Sequence, residues 1–199
     1  MKKAKNLMMI QSAIATISTG AFTDNGDGSI TTDKGVTAKG TYYTRVNGEN
    51  WVADPNLITN EGLTHILNVA LGTTPKPAGY YLALFSAAAQ PQANWTAASF
   101  ATTASEIVSS TEGFAGATRP EWKPTNTATQ SIDNMAPTSV AKVTIKTASQ
   151  LTVQGAAILT NSAKGSTAGV LISATKFAAA RVFQDNDTFE IGYRLSLTV

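Results

Sequence analysis

Residue types able to do chemistry are few in this chain. His65 is the only histidine among 199 residues, and cysteine is absent. Without cysteine there is no thiol chemistry and no disulfide framework. A zinc site would need mostly carboxylates around His65, an unusual ligand set. A serine triad would also have to use His65, but no G-x-S-x-G elbow is present. Phosphate-loop and dinucleotide glycine patterns are missing as well. His65 therefore reads as a partly exposed helix residue. Glu106, Glu112 and Glu121 lie near one another in sequence, and a glycosidase needs two acids at a fixed separation. The competing reading is ordinary loop charges, with Arg119 and Glu121, which flank Pro120, paired to neighbours. Trp51, Trp95 and Trp122 could stack on a sugar, but large aromatic rings more commonly serve as packing anchors. The run TDNGDGSIT resembles a calcium loop. With Gly28 at the glycine position, Thr23 takes the first ligand place and Lys34 stands where a bidentate glutamate is needed. A tight turn at Asn25-Gly26 or Asp27-Gly28 between short strands fits better. No metal or other cofactor and no catalytic residue is expected.

The elements that would carry these residues are organised around Pro55–Phe85. Asn60 is the expected helix cap, and Glu61 places negative charge in the first turn, where the dipole favours it. Leu63, Ile66, Leu67, Ala70 and Leu71 form one apolar stripe at helical spacing. Gly72, Pro75 and Pro77 stop the helix. Tyr80–Phe85 is apolar on both faces, as in a strand covered on both sides. Upstream, Asn47-Gly48 predicts a hairpin between Thr41–Val46 and Asn50–Val52.

Downstream, Ser86–Thr111 predicts a long loop with a short helix near Glu106, and Gly113–Pro124 is turn-rich. Ala141, Val143 and Ile145 alternate with polar residues, Leu151–Thr160 and Gly169–Ala174 read as buried strands, and Asp185–Asp187 as a turn. Phe189, Ile191, Tyr193, Leu195, Leu197 and Val199 point one way at period two, the side expected to face inward. Strands at short spacing with turns between them predict a mainly β domain over residues 41–199. Its form is an antiparallel sandwich or jelly roll with one short packed helix. Leu63, Ile66, Leu67, Trp122, Phe189, Ile191, Tyr193 and Leu195 are its expected anchors.

Residues 1–40 read as an N-terminal arm, an amphipathic helix followed by a turn-rich segment. Lys2, Lys3 and Lys5 precede Leu7, Ile10, Ile14 and Ile17 on one helix face, with Met8 and Met9 widening it. A basic start before an apolar run also suggests a signal peptide, but Gln11, Ser12 and Thr16 interrupt the run. The arm is expected to bind a partner subunit.

Charged residues make up only 14% of the chain, against about 25% in ordinary soluble domains, and hydrophobic residues 43%. Such a surface suits a protein covered by neighbours. The formal net charge is +2 and positions 77–118 hold no lysine or arginine, which argues against nucleic acid as a partner. No apolar run approaches the ~20 residues of a membrane span.

The motifs NLITNEGL, ILNVAL and YYLALF, followed by ATRPEW at Ala117–Trp122, GAAIL at Gly155–Leu159 and GVLISATKF at Gly169–Phe177, resemble a family of small virion structural proteins of tailed bacteriophages. The resemblance spans roughly residue 41 to residue 199. It implies a non-enzymatic structural component made in the host cytoplasm and carried in the virion. Capsid decoration, or cementing of major capsid subunits, comes first among the roles. Its implied partners are the major capsid protein or other virion proteins and further copies of itself, with neither nucleic acid nor membrane. A neck, collar, tail or fibre-base component is the alternative, followed by a glycan- or receptor-binding module and then a carboxylate glycosidase. An arm on a β domain suits bridging, because several weak attachments act together.

Overall fold

The computed structural model describes residues 22–24, 30–32 and 36–198. The chain forms two compact units, one of residues 1–37 with Val199 and one of Ala38–Thr198. In the first, β1 (Phe22–Asp24) and β2 (Ile30–Thr32) pair antiparallel, with Thr23 opposite Thr31. These are the short strands expected to flank the Asn-Gly or Asp-Gly turn. The turn itself lies outside the described residues.

The larger unit opens with the hairpin of β3 (Thr37–Val46) and β4 (Val52–Pro55), Thr44 opposite Val52. Asn47 and Gly48 both adopt positive φ, at 50° and 77°, as a two-residue hairpin turn that follows the strand twist requires. The second strand begins at Val52 rather than Asn50. After β5 (Leu57–Ile58) comes helix α1 (Asn60–Ala70), then β6 (Tyr80–Phe85), helix α2 (Ala97–Thr103), β7 (Gly113–Phe114) and β8 (Glu121–Trp122). The chain continues as β9 (Ser131–Asp133), β10 (Ala141–Lys146), β11 (Leu151–Leu159), β12 (Leu171–Phe183) and β13 (Thr188–Thr198).

These strands make two antiparallel sheets. One has the order β4-β3-β13-β10-β7, with β9 also on β13; the other has the order β5-β12-β11-β6-β8. Leu82, Ile158 and Phe177 from the second sheet meet Tyr42, Val143, Phe189 and Ile191 from the first in a common buried core. The fold is thus the expected mainly β sandwich. The second sheet is covered on its other face too, where Ala83, Phe85, Ala157 and Leu171 pack with Trp95 and Phe100. That double cover explains why β6 is apolar on both sides.

Two helices occur among the described residues, not one. The second lies within Ser86–Thr111 and ends just before Glu106, where a short helix is expected. It begins at Ala97 because Thr96 and Ser99 form a reciprocal capping box, and it ends before Ser105, whose φ is 52°. The strand expected at Gly169–Ala174 runs on to Phe183. A bulge inserts Phe177–Ala180 between the pairs Gly155–Lys176 and Val153–Arg181. The free edge there is blunted by side chains: Ala178 N–H donates to Asp54 Oδ1 at 2.7 Å and Arg181 Nη2 to Asp54 Oδ2 at 3.0 Å.

Helix α1 departs most from expectation. Its cap is Thr59, whose Oγ1 accepts from Gly62 N–H at 3.0 Å; Asn60 is already helical. Its most buried residue is Gly62, not a leucine. The helix rests on β12 so closely that a Cβ on Gly62 would stand 2.1 Å from the Ile172 carbonyl oxygen. The inward side is therefore centred on Gly62 and Ile66, which rotates Leu63, Leu67 and Leu71 outward, at 42%, 59% and 85% exposure. Leu63 and Leu67 are not core anchors. In β13 the alternation holds for Phe189, Ile191 and Tyr193, but Leu195 is half-buried and Leu197 is 46% exposed. The other side of β13 is covered in part, by Arg45 on Glu190 and by Met135, whose Sδ lies where a Gly192 side chain would be.

Candidate functional site

Each of the three glutamates meets a neighbour of its own. Glu106 and Arg119 make a two-pronged ion pair, with Nε–Oε1 and Nη2–Oε2 both at 2.7 Å, and both side chains are almost wholly buried. Arg119 Nη1 also donates to the Asn161 carbonyl at 2.8 Å, and Gly165 N–H donates to Glu106 Oε2 at 3.0 Å. The pair thus pins the loop after β11 to the loop that follows α2. Glu112 accepts from Thr147 Oγ1 and Ala148 N–H, each at 3.0 Å. Glu121 lies at the surface, 3.3 Å from Lys123 Nζ. Arg119 does pair with a neighbouring acid, though its partner is Glu106 rather than Glu121. Glu106 and Glu112 act as loop clamps through these hydrogen bonds.

Glu61 has a role that local sequence does not reveal. Its Oε2 accepts from Ala97 N–H at 2.8 Å and Leu171 N–H at 2.7 Å, joining the first turn of α1 to the start of α2 and the start of β12. Only the fold brings these three points together. His65 is half-buried, and its Nε2 is hydrogen-bonded to Tyr80 Oη at 3.1 Å. Burial lowers the imidazole pKa, against an opposing pull from Glu61. Among the described residues no group of three or more His, Cys, Asp or Glu side chains converges as a metal site.

The tryptophans are packing anchors rather than a shared platform. Trp122 sits in the core between the sheets, its Nε1–H donating to the Tyr193 carbonyl at 3.0 Å, whereas Trp95 belongs to the cluster under α2. Trp51 is half-buried beneath the Arg45 guanidinium, 4.5 Å from the ring centre. A buried polar bridge crosses the sandwich: Tyr42 Oη meets Ser173 Oγ at 2.9 Å, and Asn56 Nδ2 donates to Tyr193 Oη at 3.1 Å. Burial drives both tyrosine pKa values up, so these phenols stay neutral. Gly40 leaves room for them, since a Cβ there would fall 2.3 Å from Tyr193 Oη.

Some large apolar side chains also stand outward. Leu63, Leu67 and Leu71 stand one turn apart along α1 and form the one leucine row on the surface of the described residues. It is the candidate interaction surface. Among the described residues no helix is long and apolar enough to cross a membrane. The partner-binding residues expected in the arm, Lys2, Lys3, Lys5, Leu7, Met8, Met9, Ile10, Ile14 and Ile17, lie outside the described residues, as does Val199. No family model matches the chain, and no curated protein matches it.

Proposed function

We propose that this chain is a non-enzymatic structural protein of a tailed-bacteriophage virion, with capsid decoration as its role: it bridges and stabilises major capsid subunits. The observation that carries the reading is the leucine row of α1, three large apolar side chains held in water by a helix that packs through Gly62 instead. Exposed apolar patches of this kind mark protein–protein contacts. The low charge of the chain, 14%, supports the same reading, as does the use of its glutamates in clamps. The sequence motifs that resemble virion structural proteins supply the particle.

Copy counting in purified virions by quantitative mass spectrometry, with imaging of the intact particle, tests the proposal. Capsid decoration requires on the order of hundreds of copies over the shell, as its symmetry dictates. A few dozen copies or fewer at one vertex would make the chain a neck, tail or fibre-base component. Absence from the particle would end the virion reading.

A further inference from the structure

The sandwich is not filled at one end. Between α1 and β8 lies a crevice of about 410 Å³, at the lower end of the range for sites that enclose a ligand group. Ile158 and Ile172 of one sheet and Tyr193 and Leu195 of the other form its walls. The aromatic rings beside it are each held by a hydrogen bond. Trp122 is held by its bond to the Tyr193 carbonyl, and Tyr80 by its bond to His65. The two rings meet edge to face with centroids 5.9 Å apart. The mouth carries Lys76, Glu121 and Lys123. Glu121 is paired with Lys123, and Lys76 makes no ion pair among the described residues, so the rim has one positive charge left over.

We propose that this crevice receives one bulky apolar side chain of a partner protein, aromatic or leucine-like, flanked in the partner by a carboxylate that meets Lys76. Apolar walls call for the side chain and the uncompensated lysine for the acid. A protein is favoured over a free apolar acid because the apolar surface does not end at the mouth. Ile66 lines the crevice, and Leu63, one turn earlier on α1, is exposed. A molecule small enough for the crevice would leave that leucine in water, whereas a chain lying across the helix covers both. The inference deepens the reading above and takes the nature of its partner from it.

The test is an amide NMR titration of the full chain with a hexapeptide carrying one tryptophan followed by one glutamate in a glycine–serine frame. Saturable shifts in the millimolar range, gathered at Tyr80, Trp122 and Leu195, are expected. Exchanging the peptide glutamate for lysine should weaken binding about threefold, the size of an exposed ion pair, and Lys76→Glu should reverse that preference. Ile132→Trp, which fills the crevice from β9, should abolish binding while thermal melting shows the variant folded. If that variant does not fold, the charge reversal at exposed Lys76 still decides. No saturable shift, shifts elsewhere, or binding of decanoate but not the peptide would overturn the proposal. Peptide binding by a chain missing from purified virions would leave the crevice standing and remove the virion reading; the converse result would do the reverse.

Discussion

At the residue scale the most consequential pair is Glu106 with Arg119, because both charges are out of water. Attraction repays desolvation here only while every partner is present. Glu106→Gln or Arg119→Ala should each cost about 3–5 kcal/mol by urea unfolding, since either leaves a buried group uncompensated. Arg119→Ala combined with Glu106→Gln should cost less than the two single changes together, and strict additivity would show that the pair is not coupled. The exposed pair Glu121–Lys123 should contribute little: Glu121→Gln is expected to shift stability by less than about 1 kcal/mol. Two other carboxylates bear on acid sensitivity. The hydrogen bond from Arg45 holds the Glu190 carboxyl below its ordinary value of 4.5, and Asn47 with the Gln184 amide lowers Asp187 from 3.8. In both cases the unfolded chain binds the proton more readily. Their stabilisation is complete above the ordinary values and is lost as the pH falls through the lower, folded ones. Melting temperature measured from pH 6 downward should fall below about pH 4.5, and more gently in Glu190→Gln. An unchanged slope in that variant would assign the acid sensitivity to other groups.

At the scale of elements, strands were easier to read than the helix faces. Period two has one inward side, so β10 and the first half of β13 follow from Val143, Ile145, Phe189 and Ile191 alone. Towards the end of β13 the period continues but burial fades, and nothing local at Leu195 or Leu197 marks that point. The five apolar residues of α1 define a stripe, yet the helix turns another side inward because Gly62 allows the closer approach. A glycine without a side chain gives no hydrophobic signal, so the contact that orients the helix was invisible in the pattern. Glu61 and the crevice at Trp122 were illegible for a related reason, since each is assembled from residues far apart in the chain. Two comparisons test this account. Gly62→Ala should destabilise by about 1–3 kcal/mol despite alanine's better helix propensity, because the Ile172 carbonyl blocks the methyl group. Leu67→Ala should stay within about 0.5 kcal/mol. On β13, Ile191→Ala should cost about 2–5 kcal/mol and the half-buried Leu195→Ala clearly less. A large loss at Leu67 with none at Gly62 would mean that the helix is rotated in solution.

At the scale of the whole molecule, the sandwich has left its leucine row largely outside the core, and folding gains little from those side chains. Any advantage they confer comes from a second molecule. Each leucine fully buried against a partner contributes about 1.5–3 kcal/mol before the costs of association, so three together can decide attachment where single contacts are weak. Replacing Leu63, Leu67 and Leu71 together with serine should leave the melting temperature of the isolated chain within a few degrees of the original, because no core contact is lost. In the particle the same variant should fail. Mixed with the unaltered chain during assembly, it is expected to fall to about one tenth of equal occupancy or less, the result of losing some 1.4 kcal/mol or more of contact. Deleting residues 1–20 provides the parallel test of the arm, whose lysines and aliphatic residues are expected to act as a second attachment. If both are attachment points, the combined variant should be excluded more strongly than either alone, and salt should weaken the arm's share because lysine charges are screened. Equal incorporation of the serine variant in direct competition would remove α1 from the interface and leave its leucines without a role.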